Sequence, residues 1–151
     1  MLKILIADDE YLVRDSLKMI ISKNVKNVDL IDIATNGREA IEKAISLRPD
    51  IIFMDIHMPG IDGMEAIREI RTINKDILFV ILTAYEFFDY AKEALSLGVS
   101  EYLLKPISKN KVIETIEKLS KHVDEKRSNL MREIHLKEKM NSMIPMLEAQ
   151  F

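Results

Sequence analysis

The 151-residue chain contains no cysteine, which excludes disulfides, thiol nucleophiles and thiolate zinc sites. It carries no excess of positive charge. Its 22 lysines and arginines stand against 25 aspartates and glutamates, so the concentrated basic footprint of a nucleic-acid binder is missing. No apolar run reaches membrane-spanning length, and the opening Met1-Leu2-Lys3-Ile4-Leu5-Ile6-Ala7 is too short for a signal peptide's apolar region. These absences predict a cytoplasmic setting with no membrane contact. Glycine and proline number four each, and neither occurs between Ser108 and Ser142. That gap predicts one helix of roughly 50 Å, at 1.5 Å per residue. What is present in quantity is apolar: 48% of the chain is hydrophobic, ample for one domain with an appendage.

Ile51-Ile52-Phe53-Met54-Asp55 organises the rest. A short apolar run bounded by Pro49-Asp50 and by a turn carrying Pro59, Gly60 and Gly63 suits a strand buried on both faces. It ends in a carboxylate. Other short runs cover Lys3 to Ala7, Val28 to Ala34, Ile77 to Leu82 and Glu101 to Leu104. Helical spacing appears between them, as in Val13, Leu17, Ile20 and Ile21, or Ala40, Ile41, Ala44 and Ile45. Asp9 or Glu10 is placed to cap the first helix, and Gly98 to close the fourth as its C′ residue. Five alternations of strand and helix predict a parallel sheet with helices on both faces.

Four strand ends carry polar groups: Asp8-Asp9, Asp55, Thr83 and Lys105. With strands in the order 2-1-3-4-5, the first and third are neighbours, and ligands collect beyond their carboxyl ends. Asp8, Asp9 and Asp55 then share one acidic pocket, where like charges repel unless a cation is held between them. An all-oxygen donor set with room for water favours Mg²⁺. A carboxylate beside such an ion is a nucleophile toward phosphorus, and Mg²⁺, the Lys105 ammonium and the Thr83 hydroxyl are placed to share the charge of a transferred phosphoryl group. Taken singly, Asp8-Asp9 reads as a helix cap, Thr83 as a strand residue and Lys105 as a surface cation. At consecutive strand ends beside a Pro-Gly loop, the four read together as one site.

These motifs resemble those of the receiver domains of two-component response regulators. Asp8-Asp9, Met54-Asp55 with Met58-Pro59-Gly60-Ile61-Asp62-Gly63, Leu82-Thr83-Ala84 and Leu104-Lys105-Pro106 stand in that family's order and spacing, over about Met1 to Val123. The resemblance implies a flavodoxin-like fold and a phosphoacceptor rather than an enzyme. Asp55 would take a phosphoryl group from a sensor histidine kinase. Asp9, Asp55 and the backbone carbonyl of His57 would bind Mg²⁺, with Asp8 acting mainly through water. Lys105 would pair with the phosphoryl oxygens, Thr83 would move to bond one of them, and Tyr102 would turn inward as the switch aromatic. Lys105-Pro106 would be a cis peptide. His57 and Tyr85 would flank the path of water to the phosphoryl group and set its loss. Ala84 to Leu95 and Leu103 to Ile107 are most similar to regulators with an AraC-type DNA-binding half.

The expected domains are a receiver over 1–123, a helical linker over 124–144 and the start of a truncated following region over 145–151. A heptad reading puts Ile116, Val123, Leu130 and Ile144 at one seam position and Leu119, Met140 and Leu147 at the other. Lys126, Glu133 and Lys137 interrupt it. Pro145 is expected to kink or end the helix. Dimerisation is expected through this last helix or through a face of the fourth helix and fifth strand, where Phe87, Phe88 and Tyr90 lie. DNA contact would need a C-terminal domain. Two other classes remain. A dehalogenase-like phosphatase carries a second acid two residues past its nucleophile, where this chain has His57, and a shuttle receiver needs no helix beyond Val123.

Overall fold

The computed structural model describes residues 1–84 and 88–148, with side chains for 1–84 and 92–143. Tyr85, Phe87, Phe88 and Tyr90, which the sequence places at the rim and at the start of the fourth helix, have side chains outside that set. Two compact units are present, Met1–Glu117 and Lys118–Phe151.

The first unit is built on a parallel sheet of β1 (Leu2–Ala7), β2 (Val28–Ala34), β3 (Ile51–Asp55), β4 (Leu78–Thr83) and β5 (Glu101–Leu104). Their order is β2-β1-β3-β4-β5, as the sequence predicts. All residues of β3 are buried. With period-two alternation, Leu5, Ala7, Ile52, Met54, Phe79 and Ile81 join one apolar layer with side chains of three helices. These are α2 (Gly37–Leu47), α3 (Gly63–Ile73) and α4 (Phe88–Ser96). The alternate residues Ile4, Ile6, Ile51, Phe53, Val80 and Leu82 are equally buried. Their cover comes from the buried Leu17 and Ile21 of α1 (Tyr11–Asn24) and Val112 and Ile116 of α5 (Lys109–Glu148).

Register carries the design to the site. Ala7 sits beside Met54, Asp55 beside Leu82 and Thr83 beside Leu104, so the strands end level with one another. A bulge between Ile4 and Leu5 skips Ile31 of the edge strand β2; alternation in a single strand gives no sign of it.

Helix ends follow their local chemistry with one exception. Asn36 accepts from the Glu39 N–H at 2.8 Å and Asp62 from the Glu65 N–H at 2.9 Å, the expected side-chain caps. Gly98, at φ +72°, closes α4 with bonds from its N–H to Leu95 O and from Val99 N–H to Ala94 O, a Schellman ending. The exception is α1. Glu10 holds the N-cap position, yet its side chain makes no capping bond. Asp8 accepts from the Glu10 N–H at 2.8 Å instead. The capping expected of Asp9 or Glu10 is therefore absent, because both carboxylates are drawn toward the strand ends.

In the second unit α5 continues to Glu148, so Pro145 does not end it. A proline near a helix terminus removes a single backbone bond, and the helix passes over that loss.

Candidate functional site

The four polar strand ends meet at the carboxyl edge of the sheet. Asp8, just past β1, and Asp55, the last residue of β3, are both buried, as is Thr83 at the end of β4. Lys105 follows β5 and reaches back across the edge. Its Nζ lies 2.9 Å from Asp8 Oδ2, 3.5 Å from Asp55 Oδ1 and 3.7 Å from Glu10 Oε1. Its main-chain N–H donates to the Thr83 carbonyl at 2.7 Å, which ties β5 to β4 at the site itself. The Lys105–Pro106 peptide is cis.

Burial comes first among the causes that push the Asp55 pKa up, to about 7, and the Asp8 charge comes second. A hydrogen bond with the Asp9 carboxyl adds to the rise, while Lys105 and the His57 N–H, 3.3 Å from Oδ1, pull the other way. Burial also pulls the Lys105 pKa down, but Asp8, Asp55 and Glu10 together hold it above its ordinary value. The pocket thus contains more carboxylate than one lysine neutralises.

A divalent cation fits this arrangement. Asp8 Oδ2 is buried, and among the described residues the Lys105 ammonium 2.9 Å away meets it as an ion pair. Oxygens of Asp8, Asp9 and Glu10 lie within 4.8 Å of one another. An oxygen-only set suits Mg²⁺, whose charge would offset the repulsion that raises Asp55. Glu10 is a member the sequence analysis did not name, because a residue at a helix start reads first as a cap.

The loop after β3 is held by close backbone approaches. A Cβ on Gly63 would stand 2.0 Å from the Asp55 carbonyl oxygen, and one on Gly37 would stand 2.1 Å from the Ile61 carbonyl oxygen. The structure packs α2 against the site loop through Gly37. Ile56 and Met58 are buried beneath that loop, and His57 between them is exposed. His57 therefore contacts Asp55 through its backbone, with its ring at the rim.

Two arginines escaped the sequence analysis. Arg14 Nη1 donates to the Asp8 carbonyl at 2.8 Å and its guanidinium sits 5.8 Å from the Tyr11 ring centre, fixing the chain where the acids leave β1. The i, i+3 spacing of Tyr11 and Arg14 was the available signal. Arg71 of α3 bonds the carbonyls of Leu97 and Gly98 beyond α4 and those of Lys75 and Ile77 before β4. It stacks 4.7 Å over Phe79. No local pattern marks it, since its partners are distant carbonyls. Tyr102, on β5, is half-buried against the core.

Comparison with known proteins agrees with this geometry. The family model described as the response regulator receiver domain matches residues 4–117. The transcriptional regulatory protein YesN of Bacillus subtilis is 36% identical over 141 residues, covering 93% of this chain and 38% of that protein. The chemotaxis protein CheY of Thermotoga maritima is 38% identical over 119 residues, covering 79% of this chain and 98% of that protein. The chain thus spans well under half of the first relative and nearly all of the second. Among solved structures, the REC domain of AraT, a response regulator from Geobacillus stearothermophilus, aligns with a TM-score of 0.78. It is 33% identical and covers 83% of this chain and 98% of that one. The chain belongs to the response regulator receiver domain family.

Proposed function

We propose that Asp55 is the phosphoacceptor of a two-component system and that its phosphorylation is passed to an output through β5 and α5. A carboxylate oxygen of Asp55 attacks the phosphorus of a kinase phosphohistidine. The P–N bond breaks, and its electron pair returns to the imidazole. Bound at Asp8, Asp9, Asp55 and the His57 carbonyl, with Glu10 adjacent, Mg²⁺ would supply charge neutralisation. Lys105 holds the phosphoryl oxygens, and the Thr83 hydroxyl moves to bond one of them. Tyr102 follows into the space Thr83 leaves. Hydrolysis reverses the gain: water attacks phosphorus, the P–O bond to Asp55 breaks, and inorganic phosphate departs. His57, exposed at the rim, stands in the path of that water, and Tyr85, two residues past Thr83 in the sequence, is expected to join it.

The observation that carries this reading is the buried Asp55 carboxylate with Lys105 Nζ 3.5 Å away and two further acids around it. Carboxylates clustered about one lysine with a strongly perturbed proton affinity mark a functional-site candidate, and their surplus charge suits the metal ion that phosphoryl transfer uses. The setting is cytoplasmic, the donor a sensor histidine kinase, and the output transcription regulation through a DNA-binding domain of AraC type. Transcriptional regulators among the relatives support that output. Dimerisation would run through the last helix or the α4–β5 face.

The test is intact mass after Mg²⁺ and acetyl phosphate, with light scattering on the same sample. A gain of one phosphoryl group, lost in Asp55→Asn, is expected. No gain in the wild type would sink the reading. Replacing His57 and Tyr85 with small polar residues is expected to change the rate at which the group is lost.

A further inference from the structure

Past Val123 in the second unit, the described apolar side chains face outward. Leu130, Ile134, Leu136, Met140 and Met143 are all exposed, Leu130 at 56% and Met140 at 64%. The heptad seam places Val123, Leu130 and Lys137 at one position and Lys126, Glu133 and Met140 at the other. An apolar helical stripe without cover is completed by a second helix. The charges on the seam decide which helix and in which direction.

In a parallel pair of copies each seam residue meets its own twin. Lys126 would then face Lys126, Glu133 would face Glu133, and Lys137 would face Lys137. Three like-charge contacts would fall in the least hydrated part of the contact, where unpaired charge costs most. Antiparallel pairing brings the two seam positions together instead. With the two-fold axis level with His135, Glu133 meets the partner's Lys137, and Lys137 meets the partner's Glu133. The same register sets Leu130 against the partner's Met140. Ile134 and Leu136 lie on either side of the axis, each near its own twin, and exclude water from the two ion pairs. The stem of Lys126 is long enough to lie along the seam with its ammonium turned out of it.

We propose that a second copy of this chain covers this face, its helix antiparallel and in the register that pairs Glu133 with Lys137. This rests on the reading that the last helix carries dimerisation, and it adds the direction and the register. The two helices then leave the contact pointing opposite ways, so whatever follows each one acts apart from the other.

The test uses the full chain, whose lack of cysteine makes single thiols unambiguous. Leu130→Cys and Met140→Cys, mixed under mild oxidation with one carrying an isotopic mass label, are expected to form a mixed disulfide. Neither is expected to form a disulfide dimer alone. Leu130→Cys dimerising by itself would mean a parallel pair and overturn the arrangement while leaving dimerisation through the helix intact. By light scattering, Lys137→Glu is expected to weaken the dimer at least about tenfold, through loss of two desolvated ion pairs. Adding Glu133→Lys to it should restore the dimer, which rules out simple unfolding. An unchanged dimer in Lys137→Glu would again mean parallel pairing, since one like-charge contact merely replaces another. A wild-type monomer up to millimolar concentration would overturn both the arrangement and the reading on which it rests, and leave the face to an output domain.

Discussion

The two units invert the usual rule of burial in opposite senses. In residues 1–117 charge lies inside: Asp8 and Asp55 are buried, and Lys105 is nearly so. In residues 124–143 apolar side chains lie outside, among them Leu130, Ile134, Leu136 and Met140. Each inversion costs stability and is tolerated for what it does. Buried charge without full pairing marks a place where chemistry supplies the missing partner. Exposed apolar surface along a helix marks a place where another chain supplies it. The chain thus displays two unfinished interactions, a surplus of buried carboxylate at the strand ends and an uncovered apolar face on the last helix.

The sharpest way to test that contrast is truncation on each side of it. Leu17→Ala, in the core beneath α1, is expected to cost about 2 to 5 kcal/mol by urea unfolding, whereas Leu130→Ala should change nothing measurable at concentrations that keep the chain monomeric. A large effect at Leu130 under those conditions would mean the stripe is already covered within one chain.

Lys105→Met probes the buried charge directly. It leaves Asp8 and Asp55 facing each other, and the expected loss is about 3 kcal/mol at pH 8. The loss should shrink at pH 5, where Asp55 is protonated. Equal losses at the two pH values would argue against repulsion as the cause.

The wild-type protein should itself show the strain. Asp55 titrates at about 7 in the folded state against 3.8 when unfolded. Between those values the native state binds the extra proton, so stability contributed by this group is full below pH 3.8 and falls as pH rises toward 7. Asp55→Asn is expected to remove that slope and to gain about 2 kcal/mol at pH 8 without metal, after discounting for solvent screening. A pH profile of the unfolding midpoint that is identical in both proteins would refute the placement of this charge. MgCl₂ at a hundred times its dissociation constant should then raise wild-type stability by about 2.7 kcal/mol. Asp8→Asn should weaken that response. A smaller effect is expected at Arg14→Ala, about 1 kcal/mol for one hydrogen bond, with Mg²⁺ affinity reduced because the Asp8 backbone is less firmly held.

How much of this was readable beforehand depends on the range of the forces involved. The strands, the helices between them and the closing of α4 by Gly98 rest on periodicity and turn chemistry within a few residues, and these are written locally, whereas the strand order came with the family resemblance. The ends of the strands could be read as one site because a parallel sheet collects them on one edge whatever the side chains are. The role of Gly37 could not, since its lost Cβ makes room for Ile61, a residue from another loop. Arg71 was invisible for the same reason, its partners being carbonyls of two distant segments. The cap expected of Glu10 failed because a lysine from the far edge of the sheet competes for that carboxylate.

Local order and the choice of candidate site residues therefore follow from the chain itself, through residue spacing, β-branching and the scarcity of glycine and proline. The electrostatic state of Asp55 was settled only by the fold. Its proton affinity depends on how deeply it is buried and on Asp8, Asp9 and Lys105, which approach it from separate strand ends. No spacing in the sequence encodes a distance of a few ångströms between them, because Coulomb and desolvation energies act through space and not along the backbone.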